Sequence, residues 1–135
     1  MLHEATARPY LIRAVYDWCV NQGLTPYIVF YVDAAVRVPA AYVKDNQIVL
    51  NISPSATGHL TIDDEFIEFN ARFAGQPHRI IAPVNHVLAV FARETQQGFQ
   101  FPVNPDDFET EKSTQDAEIT SSVDENENFL GILLA

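Results

Sequence analysis

The chain has 135 residues and a formal net charge of −10, with 8 Lys and Arg against 18 Asp and Glu. Such a length suits one domain with a modest core. The acidic balance disfavours a phosphate-binding surface as the main activity, because affinity for nucleic acid depends largely on Lys and Arg that neutralise phosphates.

The charge is unevenly distributed along the sequence. Up to Asn104 there are seven Lys and Arg against nine Asp and Glu, and from Pro105 onward there is one against nine. The segment from Pro105 also has few large apolar residues, so it is not expected to fold alone. We therefore predict an N-terminal extension over residues 1–8, a folded domain over 9–104 and a flexible acidic tail over 105–135.

The predicted cellular location follows from what the sequence lacks. A single cysteine, Cys19, allows no intrachain disulfide, which is typical of a reducing compartment. The first ten residues have no basic region followed by an apolar core, and no apolar run approaches the length that spans a membrane. We expect a soluble, cytoplasmic protein.

The first predicted element is a helix from Pro9 to Gln22, with Pro9 in its first turn and Gly23 just past its end. At about 100° per residue, its apolar arc is wider than one core-facing stripe requires. The helix is either sunk deep in its own domain or packed against a second subunit with part of that arc, and we favour the second. The candidate interface residues are Ile12, Tyr16, Cys19 and Val20.

The rest of the domain is predicted to be β-structure. Short runs rich in Val, Ile, Phe and Tyr alternate with turn signals, as in a small antiparallel barrel or sandwich. The runs are TPYIVFYVD, VRVPAAYV, QIVLNIS, HLTIDD, EFIEFNARF, HRIIAP, HVLAVFARE and GFQFPV. The PVNH stretch is predicted to be a turn that leads into the strand after it.

No catalytic or metal-binding pattern is visible. The four histidines are scattered, the SPSATG stretch lacks the GxSxG and GKS/T signatures, and Asp63-Asp64-Glu65 is most simply a solvated hairpin tip. The residues therefore favour a binding module without a cofactor over an enzyme, and leave the ligand open.

Four stretches give the chain a family resemblance: RPYLIRAVYDWCVNQGLTPYIVF, VPAAYVKDNQIVLNISPSATGHL, FIEFNARFAG and VLAVFARETQQGFQFP. They are similar, in order and spacing, to the stringent starvation protein B family, over about Arg8 to Pro102. The resemblance implies a small Sm-like or SH3-like β-barrel fronted by an N-terminal helix, and a homodimer formed through that helix. It also implies an adaptor that binds ssrA-type degradation tags and delivers tagged proteins to the Clp unfoldase–protease (ClpX with ClpP).

By the same resemblance, each subunit has one peptide-binding groove, lined from the QIVLN–SATG segment and the NARF strand. Carried over by position, the groove residues are Asn51, Ile52, Ser53, Ser55, Ala56, Thr57, Phe69, Asn70, Ala71, Arg72 and Phe73. Small Ala56 and Ala71 are expected to admit a peptide backbone, and Arg72 to meet a carboxylate. Ile52, Phe69 and Phe73 are equally well explained as core residues, and Asn70 as the polar end of a strand.

The end of the chain departs from the family pattern. The family's acidic tail ends in a short basic and apolar module that docks on the N-terminal domain of the unfoldase, whereas this chain ends in NENFLGILLA, without Arg or Lys. This end is a diverged docking module, a terminus without function, or a mimic of the tag, and we favour docking. Its apolar anchors would be Phe129, Leu130, Ile132, Leu133 and Leu134.

Two other function classes remain as alternatives. A nucleic-acid-binding Sm-like barrel would require a basic stripe, which this mildly acidic domain lacks. A small hydrolase would require converging catalytic groups, and none is visible in the sequence.

Overall fold

The computed structural model describes residues 5–102, which contain one α-helix and seven strands. Helix α1 spans Arg8–Asn21, one residue earlier at each end than predicted. The strands are β1 (Pro26–Tyr31), β2 (Gln47–Asn51), β3 (Gly58–Ile62), β4 (Phe66–Phe73), β5 (Gln76–Pro83), β6 (Val87–Ala92) and β7 (Gly98–Gln100). The predictions for the tail and for the boundary at Asn104 lie outside the described residues.

The strands pair as two antiparallel sheets. One has the order β2-β1-β6-β7 and the other the order β3-β4-β5. The predicted class, mostly antiparallel β with an N-terminal helix, is confirmed. The PVNH stretch, predicted to be a turn that leads into β6, forms a short 3-10 helix, Val84–His86, directly before that strand.

One narrow stripe of helix α1 packs into the main core of the domain. Ile12 and Cys19 are 0% exposed and Val15 is 6% exposed, and all three belong to the main core cluster. The helix ends where Gly23 adopts a φ of 72°, and the Leu24 N–H then donates to the Cys19 carbonyl at 2.8 Å. A left-handed residue just past a helix is most easily supplied by glycine.

The one wrong strand prediction is VRVPAAYV. Arg37 makes an isolated bridge to Ile81 of β5, and after it the chain forms a 3-10 helix, Ala40–Tyr42. Pro39 explains the difference, because a proline has no N–H to give to a strand ladder and its fixed φ suits a helical start.

Strand β7 pairs with β6 at Gly98 more closely than a side chain at that position would allow. A Cβ at Gly98 would lie 2.0 Å from the Val90 carbonyl oxygen and 2.6 Å from the Phe91 Cα. Both neighbours are backbone atoms, so they cannot turn aside as a side chain would. The close approach of this short edge strand to β6 therefore depends on glycine at position 98, which has no side chain.

The start of α1 is joined to the end of the described chain by one side chain. Arg8 is 7% exposed, and its guanidinium donates to the Asn85 carbonyl at 3.2 Å and to the Pro102 carbonyl at 3.0 Å. The same group lies 5.1 Å from the centre of the Phe101 ring. We call these contacts the Arg8 clamp.

Glu94 joins the end of β6 to the turn after α1. Its carboxylate accepts the Thr25 N–H at 2.8 Å and the Thr25 hydroxyl at 2.7 Å. These two hydrogen bonds lower the pKa of Glu94 to about 2, and the bond from the Thr25 hydroxyl has the larger effect. The carboxylate form is therefore favoured by the folded state.

We expect Glu94 to make stability depend on acid pH. A carboxyl group whose pKa is lower in the folded state stabilises the fold above its unfolded pKa, and this contribution is lost as the pH falls toward about 2. Urea midpoints measured from neutral pH downward should show a wild-type advantage over Glu94→Gln that shrinks below about pH 4.5. An advantage that stays constant to about pH 2 would contradict this assignment.

Candidate peptide-binding site

The two segments predicted to line a groove lie side by side. The turn over residues 52–57 leads from β2 in one sheet to β3 in the other, and Gly58 at its end pairs with Asn70 of β4. A Cβ at Gly58 would lie 3.9 Å from the Asn70 Cβ, so even a small side chain at this position would be in van der Waals contact with Asn70. The antiparallel register thus places the SATG turn beside the NARF half of β4.

The turn is shaped by its own polar side chains. The Asn51 Oδ1 accepts the Ser53 N–H at 2.9 Å, and the Ser53 carbonyl accepts the Thr57 hydroxyl and the Ala56 N–H, each at 3.0 Å. Asn51, Ser53 and Thr57 therefore hold the turn in shape. Ser55 is exposed and Ala56 is half-buried, so these two residues offer surface to a ligand.

Strand β4 divides the remaining predicted residues between two faces. The inward row consists of Ile67, Phe69, Ala71 and Phe73, and the outward row of Phe66, Glu68, Asn70 and Arg72. Phe69 is 1% exposed and Ile52 is 0% exposed, so both lie in the core of the chain. Ala71 and Phe73 are half-buried at the end of the inward row, where the core opens to the surface.

Two aromatic residues that the sequence did not indicate join Phe73. The Tyr42 ring centre lies 4.9 Å from that of Phe73, and the His78 ring lies edge-on to Phe73 at 5.5 Å. Tyr42 is 45% exposed, and His78 is the cross-strand neighbour of Ala71. We call Tyr42, Phe73 and His78 the aromatic wall.

The positive charge at this end of β4 lies in the outward row, on the opposite face of the strand from Ala71 and Phe73, and it is only loosely held. Arg72 is exposed, and its Nη1 lies 3.5 Å from the Gly75 carbonyl, at the limit of a hydrogen bond. Arg79, by contrast, already forms an ion pair with Glu68 across the β4–β5 ladder. Of the two arginines on β4 and β5, Arg72 is therefore the one better placed to bind a carboxylate. An exposed ion pair of this kind contributes only about 0–1 kcal/mol.

The predicted interface residues of α1 lie in different environments. Ile12 and Cys19 are fully buried in their own core, and burial raises the pKa of the Cys19 thiol and of the half-buried Tyr16. Val20 is 38% exposed. Ile12 and Cys19 thus have no side-chain surface to offer a partner in this structure. Tyr16 and Val20 remain as the interface candidates, on the flank of the helix that also carries Arg13, whose guanidinium donates to the Ile62 carbonyl at 2.7 Å.

The opposite flank carries an exposed aromatic residue that the prediction omitted. Trp18 is 37% exposed, and Phe99 of β7 is 43% exposed. Helix α1 contacts β7 as well as β6 and β1. The helix therefore has apolar surface on both sides of its buried stripe.

Residues 5–102 include no group of three or more His, Cys, Asp or Glu side chains that could hold a metal ion. No helix in that range is long and apolar enough to cross a membrane.

Comparison with known sequences places the chain in a family. A family model described as stringent starvation protein B matches residues 6–129. The chain belongs to the stringent starvation protein B family. A stringent starvation protein B homolog from Haemophilus influenzae is 53% identical to it over 97 residues, which is 70% of this chain and 63% of the relative.

The family match extends beyond the described residues. It includes most of the acidic tail and ends at Phe129, so the last six residues fall outside it. The five apolar anchors predicted for the tail, Phe129, Leu130, Ile132, Leu133 and Leu134, lie outside the described part of the chain.

Proposed function

We propose that this chain is an adaptor that binds ssrA-type degradation tags and delivers tagged proteins to the ClpXP protease. The observation that carries the proposal is the register that brings the SATG turn beside the NARF end of β4. The small side chains of Ala56 and Ala71 and the aromatic wall lie at this end of the sheet. No enzymatic activity is part of the proposal.

These features suit an extended peptide. A peptide backbone needs small neighbours to approach closely, and pockets for alternate side chains then give specificity. The exposed part of Tyr42 supplies apolar surface, and Arg72 supplies positive charge for an acidic side chain. The proposed site combines four groups, namely Ala56, Ala71, the aromatic wall and Arg72, and does not depend on one strong contact.

Binding is tested most directly by fluorescence anisotropy with a labelled ssrA peptide and the full chain. Saturable binding that an unlabelled tag displaces, and that a scrambled tag does not, supports the proposal. A chain that is folded by circular dichroism and binds neither peptide would refute it.

Ala71→Gln should weaken peptide binding by about tenfold or more, which corresponds to about 1.4 kcal/mol. The longer side chain would occupy the space beside Phe73 where the peptide is proposed to lie. Phe66→Gln is the matched control, because Phe66 is exposed at the opposite end of the same strand. If both variants are folded and bind the peptide equally well, Ala71 is not part of the site.

The proposed adaptor is a homodimer formed through α1, in the bacterial cytoplasm. Val20→Glu should give monomers in sedimentation equilibrium, because a charge buried without a partner in an interface is strongly unfavourable. Trp18→Glu, on the opposite flank of the helix, is the matched variant and should remain dimeric. Dissociation by Trp18→Glu alone would move the interface to the Trp18 and Phe99 side.

Delivery further requires contact with the unfoldase. We propose that the apolar end of the tail docks on the N-terminal domain of ClpX, an assignment supported only by the family resemblance and by the acidic composition of the preceding segment. Mimicry of a tag by the same residues is the competing hypothesis.

A further inference from the structure

The outward face of the sheet β3-β4-β5 carries two arginines from its own strands. Arg72 belongs to the outward row of β4, and Arg79 of β5 is opposite Asn70 of that row. Residues paired across an antiparallel ladder point to the same face of the sheet. Arg79 therefore points outward, in agreement with its ion pair to Glu68 of the same row.

Arg37 adds a third guanidinium beyond the edge of β5. It exchanges two backbone hydrogen bonds with Ile81, with N···O distances of 2.8 and 3.3 Å, so the two residues form an antiparallel pair. Ile81 is opposite Glu68 and therefore shares the outward face. Arg37 is exposed, and its side chain lies on that face as well.

The three arginines form a diagonal row across the sheet. Arg37 is paired with Ile81, Arg79 is two residues back along β5, and Arg72 is paired with Pro77, two residues further back. Diagonal neighbours of this kind lie about 7–8 Å apart. We call Arg37, Arg79 and Arg72 the arginine row. Its positive charges are therefore evenly spaced.

One carboxylate is available to balance this row. Glu68 is the only Asp or Glu of β4 and β5, and it pairs with the Nη2 of Arg79. Neither Arg37 nor Arg72 forms an ion pair with another residue of the described chain. A guanidinium has five N–H donors, and the Arg79 side chain is 59% exposed, so Arg79 can bind a second carboxylate beside Glu68. The row therefore has an excess of positive charge that a ligand can use.

Strand β4 extends past the point where its pairing with β3 begins. Gly58, the first residue of β3, is opposite Asn70, and β4 continues to Phe73. Among the described strands, the last three residues of β4 therefore pair only with β5. A peptide beside the SATG turn can pass over this open edge, from the face of Ala71 to the face of Arg72.

The spacing of the arginine row matches an extended acidic peptide. Side chains at alternate positions of an extended chain lie on one side of it, roughly 6.7 Å apart. Carboxylates at three alternate positions can therefore reach successive arginines, whose long side chains bind carboxylates with a planar fork. A nucleic acid fits less well, because Glu68 lies beside Arg79 and the domain as a whole is mildly acidic.

We propose that the arginine row is an accessory subsite for acidic residues at alternate positions of the cargo segment that adjoins the tag. The proposal rests on the proposed function, because Arg72 connects the row to the proposed groove. A peptide that passes over the open edge of β4 continues across the outward face toward Arg37. The row thus favours tagged proteins whose residues next to the tag are acidic.

Fluorescence anisotropy with the full chain and extended tag peptides tests the subsite. A tag preceded by Glu-Ser-Glu-Ser-Glu should bind about eightfold more tightly than one preceded by Gln-Ser-Gln-Ser-Gln, from roughly a twofold gain for each exposed ion pair. A tag preceded by Glu-Glu-Glu-Ser-Ser has the same charge without the alternation, and its gain should be smaller. Equal affinities of the two acidic peptides, or no gain for either, would overturn the proposal.

Variants of the row identify the arginines that are responsible. Arg37→Gln and Arg79→Gln should each lower the gain by about twofold and leave the affinity for the Gln-Ser-Gln-Ser-Gln peptide unchanged. Lys44→Gln is the matched control, because it removes one exposed positive charge just before β2, in the other sheet. A gain that survives both arginine variants, or that falls equally with Lys44→Gln, would overturn the subsite.

Failure of the subsite and failure of the proposed function give different results. If the tag preceded by Gln-Ser-Gln-Ser-Gln does not bind, the proposed function fails, and nitrogen NMR of the full chain with the acidic segment alone decides the row. Shifts at the Nε atoms of Arg37, Arg72 and Arg79, without a shift at Arg93, support it. No shift, shifts at all arginines, or displacement of the acidic segment by a single-stranded oligonucleotide would overturn the assignment to an acidic peptide.

Discussion

Phe69→Ala should lower the free energy of unfolding by about 3–5 kcal/mol. Phe69 is 1% exposed and is among the largest fully buried side chains of the described chain, so its removal leaves a cavity that its neighbours cannot fill. Domains of this size are stabilised by only about 5–15 kcal/mol, so the change is a large part of the total. Urea denaturation followed by circular dichroism measures it.

Phe66→Ala is the natural comparison for this variant. Phe66 lies three residues away on the same strand, but it belongs to the outward row and is 42% exposed. Its truncation should change stability by no more than about 0.5 kcal/mol. Equal effects of the two variants would mean that the assignment of the two rows of β4 is wrong.

Arg8→Ala should also be strongly destabilising, by about 3 kcal/mol. Hydrogen bonds from a charged donor contribute about 1.5–3 kcal/mol each, and this variant removes two and leaves the Asn85 and Pro102 carbonyls without that donor. Arg8→Lys should recover only part of the loss, because an ammonium group cannot reproduce the planar fork of the guanidinium. Thermal denaturation of the full chain measures both.

Arg13→Ala serves as the control for the Arg8 clamp. Arg13 lies on the same helix and donates to a single carbonyl, that of Ile62, at 2.7 Å; its side chain is 33% exposed, and its ion pair with Asp64 is long, at 3.4 Å. With one such hydrogen bond instead of two, and with water able to reach the side chain, its loss should cost roughly 1.5 kcal/mol, about half the cost of losing Arg8. If Arg13→Ala is as destabilising as Arg8→Ala, burial of the clamp is not what makes Arg8 important.

Local sequence patterns predicted those helices and strands whose structure depends mainly on their own residues. The alternation in EFIEFNARF follows from the two-residue period of a strand, and β4 shows it. The VRVPAAYV run failed because its apolar content suggested a strand while Pro39 excluded a regular ladder. The wide apolar arc of α1 was visible in the sequence, but the stripe that is buried depends on where the two sheets lie.

The candidate site was predictable only in part, for the same reason. Pairing of Gly58 with Asn70 follows from adjacent strands, so a resemblance in those two segments was enough to bring them together. Tyr42 reaches Phe73 because the residues before it, around Arg37, bridge to the edge of β5 at Ile81. No spacing in the sequence encodes that path, and the aromatic wall was therefore missed.

The Arg8 clamp also determines where mechanical load enters the domain. A force applied at Pro102 would act first on the Arg8 hydrogen bond to the Pro102 carbonyl and on the bond from the Phe101 N–H to the Leu88 carbonyl, and thus on the start of α1 and on β6. The clamp holds Asn85, just past the end of β5 that pairs with Phe66, whereas Phe73 is at the other end of β4, roughly 23 Å away. If the proposed delivery includes a pull on the chain past Pro102, that pull would load α1 and β6 before it reached the proposed groove, so a bound peptide could stay in place under tension.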